Sequence, residues 1–112
     1  MVRTWVLCAN ASRAKIFRLD LSLGQIECVV ELAAFRSEFS NDVAVELEFA
    51  CGFDGYDRVV LCGEFGFLNK VCQGVSDRVR RQIIGIIPSD LVGMDAEKVR
   101  ALAEPVALKK SA

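Results

Sequence analysis

Histidine is absent from this sequence. That removes Ser-His-Asp and Cys-His nucleophile pairs, zinc sites that need imidazole, and imidazole acid–base work near neutral pH. No apolar run approaches the ~18 residues of a membrane span. The apolar stretch nearest the start is Trp5 to Ala9, soon followed by Arg13 and Lys15. That is too short for the core of a secretion signal, so a cytoplasmic protein without membrane insertion is expected. No C-x-x-C spacing occurs, and the cysteine count is odd: Cys8, Cys28, Cys51, Cys62 and Cys72. A disulfide framework is therefore not expected, and each cysteine, set among apolar neighbours as in "WVLCAN", reads as a small buried hydrophobe. Nor is there a dominant charge: the net charge is −1, so no global field draws the chain to nucleic acid.

What is present is apolar residue in excess. The hydrophobic fraction is 53% and the mean hydropathy +0.33. At 112 residues the chain is long enough for one packed core and reads as a single domain over 1–112. A surplus of this size in a small domain predicts a homo-oligomer or a face covered by a protein partner. Charge is unevenly placed, with Glu27, Glu31, Glu38, Glu46 and Glu48 in the first half and Arg78, Arg80, Arg81, Arg100, Lys109 and Lys110 in the second.

Three short β-type runs open the chain: Thr4 to Cys8, Lys15 to Leu19, and Ile26 to Leu32, the last with Ile26, Cys28 and Val30 on one face. Asp20 to Gly24 reads as the turn between the second and third. The period then changes. Ser40-Asn41-Asp42 caps a helix that places Val43, Leu47, Ala50 and Cys51 on one side and stops at Gly52. After the loop "FDGYDR" comes a buried strand at Val59 to Cys62, then a helix over 65–73. Ser76 caps the short basic segment "DRVRRQ", and "IIGII" at Ile83 to Ile87 forms a fifth strand. A final helix, N-capped by Asp95, is expected to end at Pro105, leaving a frayed tail over about 106–112. A meander followed by βα units predicts an α/β mixed five-stranded sheet of order 3-2-1-4-5 with helices on its faces, a ribonuclease H-like three-layer sandwich.

Three blocks, "TWVLCANASRAKIF", "YDRVVLCGEFGFL" and "IIGIIPSDLVGMDAEKV", together resemble the bacterial host-attachment protein family. That family is related to the middle domain of archaeal and eukaryotic peptide-chain release factors and their ribosome-rescue paralogues. The resemblance spans Trp5 to about Leu102 and implies the same ribonuclease H-like fold and a role as a binding module near the ribosome or RNA. Departures are clear. The family's long Gly-, Arg- and His-rich insert shrinks here to "FRSEFSND", and its K-D-L-T reads Ser89-Asp90-Leu91-Val92. No Gly-Gly-Gln loop is present.

Two readings stand for the polar segment between the first strands. Asn10, Ser12, Arg13 and Lys15 either form a solvated hairpin connection or an anion-reading tip for phosphate or RNA backbone. Weaker candidates are Arg78, Arg80 and Arg81 as a phosphate-contacting patch, and Ser89 with Asp90 at the end of the fifth strand. "CGEFGFL" lacks Walker and dinucleotide spacing, so no nucleotide cofactor is expected. Two-metal nuclease chemistry wants converging carboxylates, and the first strand offers none before Asn10. The expected function is thus a non-enzymatic binding module. A structural or regulatory homo-oligomer is the alternative, and a hydrolase using Asp57 and Asp90 is the remote third.

Overall fold

The computed structural model describes residues 2–35, 38–51 and 55–111. Its elements run β1 (Thr4–Ala9), β2 (Arg13–Asp20), β3 (Gln25–Ala33), α1 (Phe39–Ala50), β4 (Arg58–Gly63), α2 (Phe65–Gln73), α3 (Asp77–Gln82), β5 (Ile83–Ile87) and α4 (Ala96–Ser111). One mixed sheet holds the strands in the order β3-β2-β1-β4-β5. β1 pairs antiparallel with β2 and parallel with β4, and β5 adds parallel to β4. This is the expected order.

Every residue of β1 is buried, because the strand is central and covered on both faces. Alternation sends Trp5, Leu7 and Ala9 to one side, where Val43 and Leu47 of α1, Leu68 and Val71 of α2 and Val79 of α3 meet them. Val6 and Cys8 go to the other side, against Leu91, Val92 and the α4 residues Val99, Ala103 and Ala107. Each fully buried Val or Leu stabilises the fold by about 2 kcal/mol. The result is three layers, with α1, α2 and α3 on one face and α4 on the other. No helix among the described residues is long and apolar enough to cross a membrane.

Four expectations change. A register shift opposite Ile16 and Phe17 leaves Val29 as an extra residue in β3. One extra residue reverses the pleat, so Ile26 packs on the α4 side while Val30 and Leu32 pack on the other. Cys28 does not share a buried face with Val30. It is exposed, whereas Cys8, Cys51 and Cys62 are buried and Cys72 is intermediate.

Third, α1 starts at Phe39, with Glu38 in the left-handed region (φ 70°) at the position before it, rather than being capped by Ser40 to Asp42. The expected stop at Gly52 and the start of the following loop lie outside the described residues.

Fourth, α4 does not end at Pro105 but continues to Ser111, so the expected frayed tail is helical over 106–111. Proline removes one helical hydrogen bond and costs about 3 kcal/mol in a helix interior. Packing beyond it opposes that cost. Ala107 is fully buried, and Val106 lies so close to Gly85 that a Cβ there would sit 2.5 Å from Val106 Cγ1. The glycine inside "IIGII" is the seat for this part of α4.

Candidate functional site

The C-terminal ends of the parallel strands β1, β4 and β5 lie along one edge of the sheet, the edge where open α/β sheets present ligand sites. Asn10 follows β1 there and organises the short connection to β2. Its side-chain Oδ1 accepts hydrogen bonds from the backbone N–H groups of Ser12 and Arg13, each at 2.8 Å. Its own N–H donates to the Arg13 carbonyl at 2.9 Å. An asparagine does this because its amide oxygen mimics a backbone carbonyl two residues on. The Ser12 carbonyl accepts from Ala34 N–H at 2.8 Å, which ties the tip to the segment after β3.

The other side of the Asn10 amide points across the sheet. Nδ2 donates to Asp90 Oδ2 at 3.0 Å, and Asp90 Oδ1 accepts from Val92 N–H at 3.1 Å. Two candidates eighty positions apart in sequence are thus brought together. Ser89 is beside them, exposed, its N–H donating to the Ile87 carbonyl at 2.8 Å. Between the two strand ends lies Gly63. Its φ is +155°, and a Cβ there would meet the Ala9 carbonyl oxygen at 2.3 Å, so only glycine fits this approach. Sequence reasoning passed over Gly63, although the expected order sets the fourth strand next to the first; the observed parallel register puts Gly63 beside Ala9.

Arg13 is exposed and Lys15 is half-buried, and neither makes an ion pair among the described residues. Lys15 lies across from Cys8 on β1 and Glu31 on β3. Beneath it, a hydrogen bond with Cys62 together with burial pushes the Cys8 thiol well above its ordinary range. Cys8 is fully buried and packs in the core on the α4 side.

The remaining candidates lie elsewhere. Arg78, Arg80 and Arg81 are on α3, in the opposite helical layer from α4. Arg80 is engaged in structure: Nη1 pairs with Asp77 Oδ1 at 3.1 Å and Nε donates to the Cys72 carbonyl at 2.9 Å. Arg78 and Arg81 are exposed on the same short helix. Asp57 precedes β4, at the far edge of the sheet from Asp90, where Arg3 holds it through its backbone N–H (2.8 Å) and its guanidinium (3.3 Å). The two carboxylates do not converge.

An α/β fold, a mixed five-stranded sheet between helical layers with a polar, cation-bearing strand edge, is the class that these observations define. No family model matches the chain, so the host-attachment resemblance stands on its sequence blocks alone. Over 62 residues the chain is 36% identical to a diacylglycerol kinase of Staphylococcus haemolyticus, a match covering 55% of this chain and 18% of the kinase. In three dimensions it is similar to Archaeoglobus fulgidus Pelota, with a TM-score of 0.67 at 16% identity over 94% of this chain and 32% of that one. It is also similar to the archaeal translation termination factor aRF1, at 0.60 and 18% identity, covering 97% and 39%. A third likeness, at 0.56 and 8% identity over 96% and 38%, is to S. cerevisiae Dom34, a translation termination-like factor involved in RNA quality control pathways and interacting with Hbs1. The chain therefore spans roughly a third to two fifths of the length of these structures and under a fifth of the kinase. At such identities the likeness is one of fold.

Proposed function

We propose that this chain is a non-catalytic binding module of the translation-termination-factor type, and that its β1–β2 connection contacts a phosphate backbone on the ribosome or another RNA. The observation that carries the reading is the fold likeness, which takes in 94% to 97% of the chain and pairs it with part of three structures, two of them a translation termination factor and a translation termination-like factor. The finer assignments belong to the same proposal: the ribonuclease H-like classification rests on sheet order and layering, and host-attachment membership on the three sequence blocks.

The strand-end geometry supplies a means of contact. Asn10 fixes the backbone of the connection, Ser12 offers a hydroxyl, and Arg13 and Lys15 offer cationic donors with no acid partner among the described residues. Chemistry of release-factor type through a Gly-Gly-Gln loop is not part of the proposal, since the chain holds no such sequence. The separation of Asp57 from Asp90 speaks against a paired-carboxylate hydrolase.

Co-sedimentation with purified ribosomes across a salt series tests this. Binding is expected to weaken with salt, and Arg13→Ala combined with Lys15→Ala is expected to lower the salt slope by about 2, one unit for each phosphate no longer neutralised. Sedimentation of the double variant indistinguishable from the parent overturns the assignment of the contact to this edge.

A further inference from the structure

We propose that the outward faces of α1 and α4 are two halves of one self-association surface, on which a second copy of this chain seats its α4 against α1, head to tail. On α1, Val43 and Leu47 face the sheet, and the opposite side carries Val45, 66% exposed, and Phe49, 71% exposed. Asp42 and Glu46 share that side at helical spacing, and the helix contains no basic residue. On α4, Val99, Ala103 and Ala107 face the sheet, and the opposite side carries Leu102, 38% exposed, and Leu108, 50% exposed. Lys98 and Lys109 are exposed on that outward stripe and join no ion pair among the described residues. The acids of α4 are otherwise engaged, Glu97 and Glu104 both bonding Arg100.

The two stripes therefore match in kind and oppose in charge: apolar with acids on α1, apolar with lysines on α4. They lie in opposite helical layers, so one chain cannot bring its own pair together. A second copy of the same chain carries the missing half. An interface between two different patches leaves one of each unused at the ends, so association continues past the dimer. A single helix pair buries less than a standard interface, which makes the association weak and visible only in concentrated protein. These surfaces are distinct from the Asn10–Lys15 connection, so ribosome binding can fail or hold independently.

Sedimentation velocity of the whole chain across a concentration series is the test. The parent is expected to pass from monomer to species larger than a dimer, less so at high salt. Val45→Glu and Leu102→Glu each place a carboxylate in the contact and should weaken association at least about tenfold, with unchanged far-UV circular dichroism. An equimolar mixture of the two variants decides the geometry. Val45→Glu retains an intact α4 and Leu102→Glu an intact α1, so the mixture should associate and stop at the dimer. Asp42→Lys with Glu46→Lys leaves both stripes of one variant basic, and Lys98→Glu with Lys109→Glu leaves both stripes of the other acidic. Each should stay monomeric alone, while their mixture, complementary at both contacts, should associate past the dimer as the parent does. A parent that stays monomeric at every concentration, variants that associate as the parent does, or mixtures that fail to associate each overturn the proposal.

Discussion

At the edge of the sheet where β1 begins, Arg3 is held by Asp57, Arg18 by Glu27, and Arg58 reaches the Thr4 hydroxyl at 3.2 Å. At the edge where β1 finishes, Arg13 and Lys15 join no ion pair among the described residues, although Glu31 lies across from Lys15, and Asp90 is bonded by an asparagine and a backbone N–H. The same residue types thus serve two ends of one strand differently. Cations at the first edge are absorbed into the fold's own pairing, whereas those at the second join no ion pair among the described residues. A count of basic residues would not separate the two edges; their partners do.

The largest expected effect is structural and falls at the second edge. Gly63→Ala forces a Cβ against the Ala9 carbonyl and asks an L side chain to adopt φ +155°. A loss of about 3 kcal/mol is expected, read as a lower denaturant midpoint. Asn10→Ala comes next. It removes two acceptor bonds to the tip backbone and the link to Asp90, all at a partly exposed position, for an expected loss of about 1.5 kcal/mol. That variant should also weaken ribosome co-sedimentation while leaving both cations in place. If it destabilises without touching binding, tip rigidity is not what the contact requires.

How much of this was legible in the sequence follows from which forces act locally. Short apolar runs separated by turn residues fix β1, β4 and β5, and α2 and α3 begin and end where Gly74 and Ser76 indicate; the Ser76 hydroxyl does accept the Val79 N–H. Asn10 and Asp90 could each be singled out, but not their contact, because it depends on the crossover that lays β5 beside β4. Val29 escaped because a bulge inside an apolar run leaves no mark in residue type. Pro105 misled for a different reason. Its local preference was read correctly, but the packing of Val106 on Gly85 and the burial of Ala107 outweigh it.

The smallest effect tests the first edge and sharpens the contrast. Hydrogen bonds from the Arg3 side chain and then its backbone N–H hold the Asp57 carboxyl below its ordinary value of 3.8. A carboxylate depressed in the folded state contributes stability that is present above its unfolded pKa and lost as pH falls through the folded one. Both partners are partly exposed, at 37% and 44%, so solvent screening keeps the contribution below about 1 kcal/mol. Asp57→Asn should accordingly lower stability slightly at neutral pH, and the gap from the parent should close as the pH drops below about 4. Salt should narrow it too. Arg13→Ala with Lys15→Ala, which breaks no ion pair among the described residues, should shift the denaturation midpoint by a similar amount at both pH values. A gap for that variant that closes in acid as the Asp57→Asn gap does would mean that the second edge is paired internally as well, and that its cations are not held for a partner.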